Sequence, residues 1–385
     1  VTDDIQTPSP DTPPGSANGP TSHGLVSVVI PAFNRVHVVL RAIRSALAQS
    51  YGDLEVIVVD DGSTDGTRDA IAGLDDDRLH YVWQENAGLP AARNRGIAES
   101  SGDFIALLDS DDVWLPWKVE AQLAALAAFP ASGMVWTNMV AVNEAGTVLN
   151  ERYLTTMYTA YRYLDRERDF AERRLLGRIW PGCPTDLART RCWAGDVYSS
   201  MFMGNLAHDS TVLLTRERQQ AIGVFDLAFE PGYEYFLRAC RQGEVVFVDA
   251  PSIRYQIGAE DQMSAPGRLV VAARSNLATV EKALVDDAGV DRVPDRMIRE
   301  RLALCHAWLG REEFFADRRS ARRHLRIAFG SGPLTYRGAQ WHAFAWWVLS
   351  FFPDRVAQSL RDARGMSPFL AKLARRRGAK RRSSS

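Results

Sequence analysis

Long apolar runs are missing from this sequence. No stretch reaches the roughly 18 apolar residues that a membrane-spanning helix needs, and the first residues show no basic-then-apolar signal pattern. Both absences point to a cytoplasmic protein. Cysteine is scarce. The four present, Cys183, Cys192, Cys240 and Cys305, form no CxxC pair and no zinc-ligand spacing, so free, buried thiols in a reducing compartment are expected. Neither GxGxxG nor GxxxxGK[ST] occurs, which leaves a dinucleotide dehydrogenase and a P-loop NTPase without their phosphate-binding loops. Excess charge of one sign is also lacking. A formal net charge of −1 over 385 residues gives no global pull toward nucleic acid, and none is expected as a partner.

What is present is an alternation of short apolar runs and stretches of helical period. Residues 1–24 are rich in Pro, Ser, Thr, Gly and Asp and nearly free of large apolar side chains. They cannot bury enough surface to offset the entropy of ordering, which predicts a disordered leader. Strands are then expected over Val26 to Pro31, Leu54 to Asp61, Leu79 to Gln84 and Phe104 to Leu108. Between them, Val36, Val39, Leu40, Ile43 and Leu47 fall on one helical face, a helix near Arg68 to Leu74 has Ser63 and Thr64 as candidate caps, and another helix follows the glycine turn at Asn86. Strands alternating with helices imply right-handed crossovers and a largely parallel sheet.

Two acidic clusters close strands of that sheet: Asp60 with Asp61, and Asp109 with Asp111 and Asp112. Parallel strands bring their carboxyl ends to one edge, where open α/β sheets bind ligands. Three carboxylates within four residues repel one another unless a cation or positive neighbours sit among them. Oxygen ligands suit a hard cation such as Mg²⁺ or Mn²⁺, which can also grip a diphosphate. The plainer alternative is a solvated acidic turn.

Four segments, VSVVIPAFNR, VIVVDDGSTDGT, NAGLPAARNRGI and FIALLDSDDVW, stand in this order. Together they resemble glycosyltransferase family 2, over about Val26 to Met263 and most tightly through Trp114. The resemblance implies an α/β fold of GT-A type, a nucleotide-binding mixed sheet flanked by helices, here with a carboxyl-terminal helical extension. It implies a glycosyltransferase that takes sugar from a nucleotide-diphosphate donor, a UDP- or dTDP-sugar, usually with a divalent metal and inversion at the anomeric carbon. Carried over by position, Pro31, Ala32 and Phe33 lie against the nucleobase and Asp61 accepts its imide N–H. Arg93 and Asn94 belong to the helix that closes over the nucleotide, although Arg93 can equally be a solvated helix charge. Asp109 faces the ribose and the metal's waters, and Asp111 ligates the metal directly. Asp112 reads instead as a cap for a helix starting near Leu115 and Pro116.

Past Ala128 the pattern changes. Residues 133–142 read as a strand and Tyr153 to Trp180 as charged, aromatic and helical, while Gly195 to Glu217 resembles the family's acceptor half. There His208 and Asp209 either contact the acceptor sugar or form a structural pair. The family carries its catalytic base in an ED pair just before an aromatic helix start. In this sequence Pro231 and Gly232 stand in that place, ahead of YEYFLRA. Glu230 and Glu234 are the nearest substitutes, with Glu230 favoured because it lies on a loop. The departure keeps open a catalytically impaired protein that binds nucleotide sugar. Glu260 and Asp261 read as a solvated loop face.

These readings divide the chain into the leader, a glycosyltransferase domain over residues 25–265 (nucleotide-sugar half 25–128, acceptor half 129–265), a helical region over 266–365 and a basic tail over 366–385. Helix breaks are expected near Pro294, Gly310 and the turn from Gly330 to Pro333. Trp341 to Phe352 covers only about 18 Å as a helix, too short to span a bilayer core. Its tryptophans suit a lipid interface and the tail from Lys372 to Arg382 suits anionic lipid, unless the segment is a core helix and the tail merely solvated. Peripheral contact with the inner face of the membrane would suit a glycan, lipid-linked or cell-envelope acceptor.

Overall fold

Eleven strands among the described residues form one mixed sheet flanked by helices. They are β1 (Val26–Ala32), β2 (Leu54–Asp60), β3 (Leu79–Trp83), β4 (Phe104–Leu107), β5 (Val113–Trp114), β6 (Met134–Val142), β7 (Val148–Asn150), β8 (Glu172–Leu175), β9 (Arg191–Gly195), β10 (Val212–Thr215) and β11 (Val245–Gln256). The computed structural model describes residues 23–230, 232–257, 269–286, 289–331 and 339–353. Most of the expected leader, Pro231, Glu260, Asp261 and the basic tail lie outside those residues.

The strand order is β3-β2-β1-β4-β10-β6-β11-β9-β8, with β5 on β11 and β7 on β6. β1 is buried at every position, as a continuous apolar run covered on both faces requires. Its one polar side chain, Ser27, donates to Glu55 Oε1 (2.7 Å) and accepts from the Gly102 amide (2.8 Å). β1 pairs in parallel with β2 and β4, and β2 with β3, so four carboxyl ends share one edge. The helix over Leu89–Glu99 lies close against β1 at Gly96, where a methyl group would run into Val29 Cγ1. A mixed sheet flanked by helices, with a helical extension, is therefore the architecture found.

Beyond β4 the sheet becomes mixed, with β6 and β11 still parallel. β10 enters antiparallel between β4 and β6. This strand comes from the second half of the chain, and its insertion delivers the residues before it to the edge where β4 ends. The stretch from Tyr153 to Trp180, expected to be helical, is instead a chain of short turns and four-residue helices around the exposed edge strand β8. Backbone pairing of β8 with β9 satisfies its amides without a helix. Ser63 and Thr64 do not cap the helix over Thr67–Ala72, whose first flanking residue is Gly66 with φ +86°. Ser63 Oγ accepts from the Asn34 amide instead (2.9 Å).

The helical extension packs Leu269–Val285, Asp295–Glu312, Arg318–Gly330 and Ala339–Leu349 on one another. Gly310 does not break a helix. It lies inside Asp295–Glu312, where a Cβ would stand 2.7 Å from Leu325 Cγ and 3.1 Å from the Ala321 carbonyl, so it permits close helix contact. Trp346 and Trp347 pack on Phe314 and Phe329 rather than lining an open face. No helix among the described residues is long and apolar enough to cross a membrane. Cys192, Cys240 and Cys305 are buried free thiols and Cys183 is half-buried.

A histidine pair inside this extension sets a pH dependence. His306 Nδ1 and His324 Nδ1 lie 2.9 Å apart, so one ring must offer a lone pair to the other. Burial, then the charge of His324 and Arg323, pushes His306 down to about 4. Burial likewise lowers His324, only partly opposed by Glu313. A folded-state value below the unfolded one near 6.5 means stability is full above pH 6.5 and is lost as pH falls toward 4. Thermal melts should show a loss of order 2 kcal/mol over that window, and His306→Gln should flatten it. An equal slope in the variant would assign the loss elsewhere.

Candidate functional site

The carboxyl edge of the sheet carries the expected residues, but their partners differ from the sequence reading. Asp61 follows β2 and its amide donates to the Ala32 carbonyl (2.8 Å). The residue is 3% exposed. One carboxylate oxygen accepts from Gln84 Nε2 (2.6 Å) and the Ala87 amide (2.9 Å), the other from the Gly88 amide (2.9 Å). Asp61 thus holds the turn that opens the helix over Leu89–Glu99. Asp60 beside it accepts from Tyr81 Oη (2.6 Å) and the Ser63 amide (2.8 Å). Pro31 and Ala32 are buried at the end of β1, and Phe33 next to them is half-exposed.

Arg93 is not a solvated helix charge. Its side chain is 1% exposed. One guanidinium nitrogen meets Asp109 Oδ1 at 2.6 Å, another meets Asp209 Oδ1 at 2.7 Å, and the group lies 5.3 Å from the Phe225 ring centre. Burial opposes its charge, yet the carboxylates of Asp209 and Asp109 outweigh burial and raise its pKa. The same contact holds Asp109 below its ordinary value despite burial, with His208 as a further cause. Asn94, one residue on, exchanges two hydrogen bonds with the backbone of Phe225 (2.7 and 2.8 Å). It ties this helix to the loop before the helix over Tyr233–Arg241.

The antiparallel register of β10 on β4 pairs Leu213 with Ala106. Carried on, that register sets Ser210 beside Asp109, whose amide donates to Ser210 Oγ (3.0 Å). Ser210 Oγ in turn donates to Asp112 Oδ2. His208 Nε2 stands 2.9 Å from Asp112 Oδ2 and 3.9 Å from Asp109 Oδ2. Burial works against a charged His208, but Asp112 and then Asp109 and Asp209 raise it to about 9.

Asp112 therefore does not cap a helix. That helix starts at Lys118, with no side-chain cap. His208 pairs with Asp112 and not with its sequence neighbour Asp209. Asp109, Asp112 and His208 each offer one ligand atom, all within 4.8 Å of one another. Asp111 lies outside that group. Burial, then Asp112 and Asp109, pushes its carboxyl up to about 6, with Arg35 opposing them, the effect of crowded carboxylates.

Neither expected substitute for the base joins this cluster. Glu234 is buried with Arg238 on both oxygens (2.9 Å each) and Lys282 Nζ at 2.8 Å, an arrangement that spends its charge on the helical extension. Glu230 is half-buried and its amide donates to Ser275 Oγ (2.8 Å). Sequence reasoning assigned Asp112 elsewhere and passed over Ser210. The signal for both was the polar HDS triplet ahead of the apolar run of β10.

Residues 27–185 match the family model described as Glycosyl transferase family 2. Over 102 residues the chain is 43% identical to the putative teichuronic acid biosynthesis glycosyltransferase TuaG of Bacillus subtilis, covering 26% of this chain and 40% of that protein. Over 103 residues it is 40% identical to the UDP-Glc:alpha-D-GlcNAc-diphosphoundecaprenol beta-1,3-glucosyltransferase WfgD of Escherichia coli, covering 26% and 41%. The chain spans less than half the length of these curated relatives. Among solved structures, the mannosyltransferase PcManGT of Pyrobaculum calidifontis in complex with GDP-Man and Mn²⁺ aligns with a TM-score of 0.49 at 18% identity, covering 93% of this chain and 88% of that one.

Proposed function

We propose, for a chain whose residues 27–185 match the Glycosyl transferase family 2 model, that it moves a sugar from a nucleotide-diphosphate donor to an acceptor hydroxyl with inversion. The observation that carries this reading is the convergence of Asp109, Asp112 and His208 at one sheet edge, with buried Arg93 behind them. Two carboxylate oxygens and an imidazole nitrogen at these separations fit a divalent cation of the Mg²⁺ or Mn²⁺ kind. When bound, such a cation neutralises the charge that develops on a departing diphosphate.

The chain's own residues supply the rest. Arg93 fixes Asp109 in place, so the carboxylate needs no reorganisation when donor arrives. Asp61 shapes the loop over residues 84–88, beside the ends of β1 and β2 where this reading puts the nucleobase, and Phe33 would offer that base an exposed ring. We assign the transferase to residues 25–265, with 266–365 as its helical support. A UDP- or dTDP-sugar is the donor favoured, and a lipid-linked or cell-envelope glycan the acceptor, in keeping with the names of the relatives TuaG and WfgD. Exposed Phe351 and Phe352, at the end of the last described helix, support contact with a membrane face.

Thermal stabilisation by a panel of nucleotide diphosphates tests this reading. UDP or dTDP at about 100 times its dissociation constant should add about 2.7 kcal/mol, and the shift should require Mn²⁺ or Mg²⁺. Equal shifts with and without metal, or none with any nucleotide, would sink it. One observation favours a second reading, a donor-binding protein without turnover: Gly232 stands where the family's acidic residue belongs. UDP released over time from a UDP-sugar would set that reading aside.

A further inference from the structure

We propose that Asp209 is the catalytic base of this chain, occupying in space the position that Gly232 vacates in sequence. The proposal rests on the sugar-transfer reading above. Gly232 directly precedes the helix over Tyr233–Arg241, the place of the missing carboxylate. A Cβ built on Gly232 would meet Asp209 Oδ2 at 3.0 Å and Oδ1 at 3.4 Å. The space into which a side chain at 232 would first project is therefore filled by the carboxylate of Asp209, brought in from the turn before β10. The backbone at Gly232 has φ +105°, which an L side chain rarely adopts. Glycine there and a carboxylate at 209 are two halves of one arrangement.

The geometry gives the two oxygens of Asp209 different tasks. Oδ1 is held by Arg93 at 2.7 Å. Oδ2, on the Gly232 side, takes no hydrogen bond from another side chain among the described residues. A base needs this division: one oxygen anchored for aim, the other available to a hydroxyl. The same Arg93 holds Asp109 at 2.6 Å, so one rigid cation sets the distance between the proposed base and the candidate metal cluster. The side chains of Asp209 and Asp109 keep 12% and 22% exposure, which leaves both reachable by a bound molecule. Glu234 lacks that freedom, since Arg238 and Lys282 take its oxygens.

The step is a single displacement. The acceptor oxygen forms a bond to the anomeric carbon as the bond from that carbon to the diphosphate oxygen breaks. The acceptor proton passes to Asp209 Oδ2, and the electron pair of the broken bond leaves on the nucleotide diphosphate. Water in place of the acceptor follows the same course and gives donor hydrolysis, which needs no knowledge of the natural acceptor.

UDP release from UDP-glucose and from UDP-N-acetylglucosamine, with Mn²⁺, reads the step. Asp209→Asn keeps an oxygen for Arg93 and removes the base. UDP release should fall by about 10²–10⁴-fold, while Mn²⁺-dependent stabilisation by UDP stays within a few-fold of the wild type. Release within a few-fold of wild type would overturn the proposal, and so would parallel loss of release and UDP binding, which marks a purely structural carboxylate. If Asn at 209 prevents folding, Asp209→Glu keeps the charge on Arg93 but shifts the free oxygen, and the same two outcomes decide. Wild-type chain that binds UDP with Mn²⁺ yet never releases it from either donor overturns the base alone. Wild-type chain that binds no nucleotide overturns the underlying reading.

Discussion

Arg93→Leu should destabilise the protein by about 3–5 kcal/mol, the cost of leaving buried charge without its partner. The substitution strips the shared cation from two carboxylates, Asp109 and Asp209, held at 2.6 and 2.7 Å. His208, 3.9 Å from Asp109, is already hydrogen-bonded to Asp112 and is a poor substitute for that cation. The Phe225 ring loses its cation as well. Denaturant or thermal melts measure the loss, and nucleotide binding should vanish with it. Arg93→Lys should recover only part, because an ammonium is a point charge and cannot hold two carboxylates in a planar fork. A Leu variant as stable as the parent would mean that the two carboxylates are protonated or solvated rather than paired.

The second large effect is expected at Asp112. Asp112→Asn should weaken Mn²⁺-linked UDP binding by at least about 10–100-fold, the usual consequence of losing a metal ligand or the group that orients one. Asp112 stands behind two other members of the cluster: it fixes His208 at 2.9 Å and takes the Ser210 hydroxyl, which also accepts from the Asp109 amide. The same loss in Asp111→Asn, with Asp112→Asn unaffected, would return the metal site to the pair expected from the resemblance. Calorimetric titration of UDP at saturating and zero Mn²⁺ separates the two outcomes.

The first four strands were legible because their burial is encoded locally. VSVVIP, VIVV and FIALL are largely apolar runs, and the place of the acidic residues that end the second and third follows from chain direction alone. The pairing of Asp112 with His208 was not legible, because it depends on β10 entering antiparallel beside β4, a contact between residues about a hundred positions apart in sequence. Asp61 shows a related limit. Its place at the edge was readable, but three donors from residues 84, 87 and 88 already reach its carboxylate. Glu234 looked available on its own helix until the extension delivered Lys282 to it. Between Tyr153 and Trp180, helix-forming composition lost to edge pairing of β8 with β9. In each case a nonlocal partner decided what a local pattern had left open.

The proposed function stands on one claim: carboxylates just past the end of β4 and an imidazole from the turn before β10 hold a divalent cation against a nucleotide diphosphate. Crystals grown with UDP and Mn²⁺, measured at the manganese absorption edge, test it most directly. The account predicts an anomalous peak bounded by Asp109, Asp112 and His208 and touching the diphosphate. Bound UDP with no peak there, or a peak on Asp111 away from Asp112 and His208, would contradict it.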